Sequence, residues 1–285
     1  MFDALGNRMK GFYEDRYRIY LTRRLPVIIR VDGNAFHTFT RGLDKPFDKN
    51  FMKIMQETCL SLCQNIQGCV GGYVQSDEIS LLLIDYQTID TDAWFDYNLQ
   101  KVTSLAAARA TMTFNGLVRK FVENEKETAE KCALLGNKYF GFDDGQEYFD
   151  QEAQHINKCT LWEPKIDRAM FDARAFNVPK EDVCNYFIWR QKDATRNSIQ
   201  AAGQAYFSHK ELDRKSQSDI QEMLFQKGIN WNDYTIPEKR GSFIRRYTET
   251  IGKEDGTLIV RHPWCIDDEM PILTEDRNYI DELVE

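Results

Sequence analysis

No run of apolar residues approaches the length that a bilayer-spanning helix needs, and Met1-Phe2-Asp3-Ala4 does not begin a signal-peptide pattern. A membrane partner is therefore not expected, and a cytoplasmic setting is. The seven cysteines include no CxxC pair, so without a secretory leader they read as reduced structural thiols. His155 and Cys159 stand at a metal-compatible spacing, but no further ligands follow at a familiar one. Asp143, Asp144 and Glu147 lack an EF-hand ligand pattern and read as a solvated loop. Internal repeats and low-complexity tracts are missing as well. Positive charge is also in short supply. A formal net charge of −8 argues against a whole-surface grip on nucleic acid and leaves only a local basic face. Two groups could form one: Arg16, Arg18, Arg23, Arg24 and Arg30 near the start, and Lys239-Arg240 with Arg245-Arg246 later. On charge alone both read as solvated surface.

What is present suits a core-forming chain, since 285 residues can bury a substantial interior as one large domain or two modest ones. Residues 26–32 alternate and end at Asp32-Gly33, as a central strand running into a turn would. Asp48 reads as an N-cap. Behind it Phe51, Ile54, Met55, Thr58, Cys59, Leu62, Cys63 and Ile66 repeat at helical spacing, closed by Gly68. Residues 69–75 and 79–84 read as two strands joined at Ser76-Asp77-Glu78. A long helix is expected from about Phe95 to Val122, and another strand near Met170–Asn177.

The order strand, helix, strand, strand, helix, strand is that of an α+β, ferredoxin-like βαββαβ sheet with helices on one face, the layout of a polymerase palm. In it the third strand lies antiparallel between the first two, so Asp32 and Asp77 become neighbours at one sheet edge. Residues 1–180 are expected to form this palm-like catalytic domain. The stretch 123–169 reads as an insertion packed by Tyr139, Phe140, Tyr148, Phe149 and Trp162. Residues 181–285 are expected to be a helical and hairpin C-terminal region packed on the palm, with a hairpin around Gly241.

A carboxylate at the tip of an apolar strand is costly unless it reaches water, a cation or a donor. Two such tips side by side suit Mg²⁺, which takes hard oxygen ligands and keeps waters and phosphates in its shell. Two ions ~3.5–4 Å apart, shared by Asp32 and Asp77, would activate an attacking hydroxyl and stabilise departing pyrophosphate. Gly33 leaves its carbonyl uncrowded, and Glu78 is a third acidic candidate. Arg30, Lys45 and Lys101 are candidate partners for triphosphate. Two ordinary turns at Asp32-Gly33 and Ser76-Asp77-Glu78 are the bland alternative.

An ordered constellation runs along the chain: Arg30-Val31-Asp32-Gly33, Phe36-His37-x-Phe39, Lys45-Pro46-x-Asp48 and Gln75-Ser76-Asp77-Glu78-x-Ser80. Phe171-Asp172-Ala173-Arg174, Trp189-Arg190-Gln191-x-Asp193 and Lys239-Arg240-Gly241 continue it. Over roughly residues 5–245 it resembles the tRNA-His guanylyltransferase (Thg1) family. The resemblance implies a reverse polymerase that adds nucleotides to the 5′ end of RNA, with two Mg²⁺ ions held by Asp32, Asp77 and the Gly33 carbonyl and with Glu78 beside them. ATP, GTP and other NTPs are the implied substrates, bound around Arg30, Gly33, Asn34, Ala35, Phe36, His37, Lys45, Asp48, Ser76, Lys101 and Ser104. tRNA is the implied partner, with contacts expected at Arg174, Arg190, Asn197, Lys239 and Arg240, in a homotetramer. One departure stands out: the family's His-Ile-Asn-Asn-type segment is here Thr195-Arg196-Asn197-Ser198. That resembles the bacterial and archaeal Thg1-like proteins, which favour templated repair of 5′-truncated tRNA over adding a single G to tRNA-His.

Overall fold

The computed structural model describes residues 3–139, 143–252 and 258–285. The strands are β1 (Val27–Gly33), β2 (Cys69–Gln75), β3 (Glu78–Leu83), β4 (Phe171–Asn177), β5 (Ser242–Arg246), β6 (Glu249–Gly252), β7 (Leu258–Arg261) and β8 (Trp264–Asp267). The larger helices are α3 (Lys49–Asn65), α4 (Leu99–Lys138), α5 (Asp143–Trp162), α6 (Lys180–Tyr206) and α8 (Gln217–Gln226). Short helices are α1 (Ala4–Met9), α2 (Phe36–Phe39), α7 (His209–Leu212), α9 (Ile236–Arg240) and α10 (Asn278–Asp281).

The main sheet runs β4-β1-β3-β2-β5-β8, and every neighbouring pair is antiparallel. β3 therefore sits between β1 and β2 as the strand order required, and β1 is parallel to β2 across it. The pleat divides β1 cleanly. Val27, Ile29 and Val31 enter the core beneath α3 and α4, whereas Ile28 faces the opposite side. Arg30 and Asp32, two and four residues further on, share that second face.

The second face is not bare. Val183, Cys184, Tyr186 and Phe187 of α6 pack there on Ile28, Tyr73 and Leu82, so helices cover both faces and not one. The expectation of a helical region packed on the palm did not say which face of the sheet α6 would cover. The hairpin expected around Gly241 is also absent. Gly241, at φ 81°, ends α9 and turns the chain into β5, which extends the sheet beside β2. A Cβ there would lie 2.5 Å from the Val74 carbonyl oxygen, which explains the glycine.

The long helix begins later and ends later than its periodicity suggested. Phe95, Asp96 and Tyr97 have left-handed φ, and the Asn98 side chain then caps Lys101 N at 3.1 Å. Beyond Val122 the charged run 123–130 hides a continuing buried stripe of Ala129, Cys132 and Gly136. α5 folds back antiparallel along it: Tyr139 stacks on Tyr148 with centroids 6.0 Å apart, and Phe149 fills the space at Gly136. Trp162 reaches the main core against Phe121 and Phe39. Much of the expected insertion is thus a helical hairpin. Phe140 and the side chains of Asp143 and Asp144 lie outside the described residues. Among the described residues no helix is long and apolar enough to cross a membrane.

Candidate active site at the strand ends

Asp32 is the penultimate residue of β1. Its strand partners are Glu78 on β3 and Asp172 on β4, directly opposite on either side. Side chains paired in this way share a face of the sheet, with Cβ atoms ~4.5–5.5 Å apart, and like charges so placed repel. Asp77 completes the group in the turn between β2 and β3, where its carbonyl oxygen accepts a 3.0 Å hydrogen bond from Gly33 N. The fold thus brings together the two aspartates that the sequence singled out. Burial pushes the Asp77 carboxyl above the ordinary range, and the facing Asp32 adds to this; its own backbone N–H and Ser76 pull the other way.

The glycine between them is needed locally. A Cβ on Gly33 would lie 2.4 Å from Phe36 Cδ2, and Phe36 is held in a cluster with Phe39, Phe51, Phe114 and Phe171. Ala35 turns the chain through a left-handed φ of 55° into α2. α2 buries Phe36 and Phe39 and leaves His37 exposed, so His37 is not a core histidine. Asn34 and Ala35 are exposed at the same turn.

The donors at this strand end are oxygens, with no histidine or cysteine among them. That set fits Mg²⁺ and not a soft-metal site. Among the described residues no group of three or more His, Cys, Asp or Glu side chains could hold a metal, so the cation would rest on Asp32, Asp77 and non-side-chain oxygens. His155 is instead paired with Glu125 at 2.6 Å.

Glu78 has a different status. Arg190 Nε and Nη2 donate to its two oxygens at 2.7 and 2.8 Å, and Arg190 also reaches Asp193 at 3.1 Å. Burial pushes the Glu78 carboxyl up while Arg190 holds it down. Glu78 is 8% exposed and Arg190 5%. Arg190, expected as a tRNA contact, therefore does not face solvent, and its guanidinium is committed to positioning Glu78. The expectation fails because nothing in Trp-Arg-Gln marks the arginine as the inward-facing residue of α6.

Beside the hairpin opens a pocket of about 310 Å³ whose wall includes Lys45, Asp48, Ser76, Asn197, Lys239 and Arg240. Expected nucleotide and RNA contacts are thus gathered into one cavity, floored by Phe51, Met55 and Val74. Asp48 is partly structural there, accepting from Phe51 N at 2.9 Å and Asp44 N at 3.2 Å. The Arg240 backbone is fixed by a 2.6 Å bond from the Tyr73 hydroxyl, yet its buried Nε has no partner. Arg30 Nε, on the sheet face two residues before Asp32, is likewise buried and unpartnered. Arg174 is exposed beside Asp172 on the edge strand.

Lys101 and Ser104 do not join this group within the chain. They lie in the first turns of α4, whereas Thr111, which accepts from Phe171 N, marks where α4 reaches the Gly33 end of the sheet. Ten residues of helix put Lys101 about 15 Å along the axis from that point. The Ser104 hydroxyl is turned back to the Gln100 carbonyl. Of the early arginines, Arg23 is engaged elsewhere, donating to buried Asp85 at 2.6 Å and to Asp96 at 2.9 Å. Sequence reasoning quoted Asp172 within a motif and gave it no role. Its alignment with Asp32 is visible only once the strand register is known.

The family model described as Thg1, tRNAHis guanylyltransferase, matches residues 6–179. A bacterial tRNA(HIS) guanylyltransferase (Thg1)-like protein solved in complex with ATP is 38% identical, with a TM-score of 0.77 and 99% of each chain covered. A bacterial Thg1-like protein in complex with GTP is 36% identical, with a TM-score of 0.72 over the same coverage. An uncharacterised protein of Acanthamoeba polyphaga mimivirus is 26% identical over 255 residues, covering 86% of this chain and 77% of its own.

Proposed function

The chain belongs to the Thg1 (tRNAHis guanylyltransferase) family, and from that premise we propose a template-dependent 3′-5′ nucleotidyltransferase that repairs the 5′ end of truncated tRNA. By family it is a nucleotidyltransferase of tRNA processing that uses nucleoside triphosphates. The observation that carries the nucleotidyltransfer chemistry is the juxtaposition of Asp32 with Asp77 at the sheet edge, next to a pocket walled by Lys45, Ser76 and Arg240. We read the sheet as a ferredoxin-like polymerase palm, with the carboxylates where a palm holds its metals. Solved relatives described in complex with ATP and GTP support a nucleotide in the adjoining pocket.

In this reading a 5′-monophosphate end is first activated with ATP, or a 5′-triphosphate end is used directly. The 3′-hydroxyl oxygen of the incoming NTP forms the new P–O bond at the activated 5′ phosphorus, and AMP or pyrophosphate leaves. Asp32, Asp77 and the Gly33 carbonyl would hold Mg²⁺, which when bound supplies charge neutralisation and eases ionisation of the attacking hydroxyl. Arg30 and Lys45 offer cationic groups to the phosphates, and Arg190 keeps Glu78 fixed and its charge balanced. The protein's part is positioning and electrostatics. A homotetramer and a cytoplasmic setting belong to the same proposal. Thr195 in place of the family's histidine favours repair over addition of a single G to tRNA-His.

The test is 5′-end extension with Mg²⁺, ATP and NTPs, comparing 5′-truncated tRNA with full-length tRNA-His. Template-matched growth of the truncated tRNA, reduced about 10³-fold or more by Asp77→Ala, is expected. A single G added only to tRNA-His would replace the repair reading with strict guanylyltransfer. No extension of either RNA would overturn both.

A further inference from the structure

Behind the Lys239-Arg240 wall lies a second and larger groove, of about 680 Å³, that no part of the mechanism above uses. Two indoles, Trp189 and Trp231, line it together with Lys192, Arg196, Lys239 and Arg240. The one carboxylate in its wall, Asp193, is already paired with Arg190 and Arg196. A locally cationic groove in a chain of net charge −8 is a concentrated feature, not a reflection of composition.

Its aromatic residues have different characters. Trp231 is partly built in, donating through Nε1 to the Ser198 hydroxyl at 3.0 Å, with Lys239 Nζ 5.8 Å from its ring centre. Trp189 is 52% exposed, a large area for an indole whose neighbours include Tyr186. The Arg190 and Arg30 guanidinium carbons lie 4.4 and 6.0 Å from its ring centre. Through Arg30 the groove is continuous with the catalytic sheet face, because Arg30 is two residues from Asp32 along β1, ~7 Å on the same face. Through Arg240 it shares a wall with the nucleotide pocket. The two buried, unpartnered guanidinium Nε atoms of the site belong to these two arginines.

An exposed indole, with a second, half-buried one beside it and cations around both, is the composition of a single-strand binding platform: bases stack on the rings and phosphates meet the charges. A duplex offers no free base face here, since its bases are already stacked and paired. Growth of a 5′ end on a template has one obligatory unpaired segment beside the reacting phosphorus, the 3′ strand that extends past that end. We propose that the groove lined by Trp189 and Trp231 binds these unpaired 3′ nucleotides by stacking, and so presents the templating strand to the carboxylate edge. The inference rests on the reading of the reaction given above and deepens it.

The experiment compares binding of 5′-truncated tRNA whose 3′ strand overhangs with the same tRNA trimmed flush, at one fixed salt concentration. The overhang is expected to tighten binding by about 5- to 150-fold, the range for one stacked base. Trp189→Ala should erase most of that ratio, and Trp189→Phe, which keeps a ring, should retain it. A 2-aminopurine placed in the overhang should be quenched by the wild type and less so by Trp189→Ala. Equal affinity of the wild type for both RNAs would overturn the inference, as would an undiminished ratio in Trp189→Ala. If the wild type prefers the overhang but extends no RNA, the groove stands and the reaction reading falls, so the two failures are distinguishable.

Discussion

Replacing Arg190 by Met is the perturbation that most sharply separates a positioning arginine from an RNA contact. The substitution keeps an unbranched apolar stem as far as the Nε position and removes the two hydrogen bonds, 2.7 and 2.8 Å, that hold both Glu78 oxygens. Glu78 would then be a buried carboxylate facing Asp32 across the strand pair, with both hydrogen-bonded partners gone and only the charge of Arg30 left to offset it. Breaking one side of a buried pair typically costs ~3–5 kcal/mol. At ~2–4 °C per kcal/mol for a chain of this size, a fall in Tm on the order of 10 °C is expected near neutral pH. The penalty should also depend on pH with a definite sign. Loss of Arg190 raises the Glu78 pKa in the folded state further above its unfolded value, so the folded chain binds the proton more tightly. The Glu78 contribution to the variant's stability is then fully present below the unfolded pKa and is lost as pH rises through the raised one. Urea unfolding at pH 5.5 and 7.5 measures this: the deficit relative to wild type should be larger at 7.5. Glu78→Gln in the same background should recover much of the loss by removing the stranded charge. Because Arg190 does not face solvent, the salt slope of RNA binding by the folded variant should match wild type. A deficit under about 1 kcal/mol at pH 7.5, no narrowing at pH 5.5, or a reduced salt slope would refute the reasoning.

Arg240→Ala should weaken tRNA binding without regard to sequence and lower the salt slope by about one, read as log affinity against log salt. An unchanged slope would remove Arg240 from the RNA surface. Gly33→Ala forces a methyl to within 2.4 Å of the Phe36 ring, so the aromatic cluster must shift. A stability loss of roughly 1–3 kcal/mol, with weaker Mg²⁺ dependence of extension, is expected by denaturant titration and kinetics. The raised Asp77 carboxyl gives metal binding a pH dependence. In the metal-free protein the folded state holds this proton more tightly, so stability declines as pH rises from the ordinary aspartate range through the raised value. Mg²⁺, which needs the ionised form, should add a Tm increment that grows with pH and vanishes in Asp77→Asn. A flat increment would count against Asp77 as a ligand.

How much of this was legible in the sequence depends on whether the signal was local. Alternation over residues 26–32 and the helical spacing behind Asp48 are local, and they placed β1, α3 and the β2–β3 hairpin to within a residue or two. The meeting of Asp32 and Asp77 followed from strand order alone. The face covered by α6 was not legible, because Tyr186, Phe187 and Arg190 all fall on one stripe and nothing local says that Arg190 meets Glu78. β5 and β8 join the sheet through pairings across some 170 residues between β2 and β5, far beyond any local pattern. The position of Lys101 within the chain was not legible for a related reason: the loop before α4 carries three consecutive left-handed residues, and the helix starts at the far end of the sheet.

The distribution of charge at the strand ends argues for a ligand on physical grounds independent of resemblance. Asp172, Asp32 and Glu78 stand in one cross-strand row, and directly opposed like charges weaken a sheet. A chain selected for stability alone would neutralise the row or replace it. Here only Glu78 receives a full partner, while Arg174 approaches Asp172 at a loose 3.4 Å. Asp32 and Asp77 are left facing each other, and the Arg30 and Arg240 guanidinium Nε atoms stay buried without acceptors. Negative and positive groups that could have satisfied one another are held apart by the rigid sheet on one side and the Tyr73-anchored turn at Gly241 on the other. On the proposed function, a divalent cation would complement the carboxylates and phosphate oxygens would complement the arginines. A metal-bound triphosphate carries both charges in that order. The cost shows as a specific expectation: Mg²⁺ and NTP together should raise Tm by more than the sum of their separate increments, a coupling that Asp32→Asn would abolish.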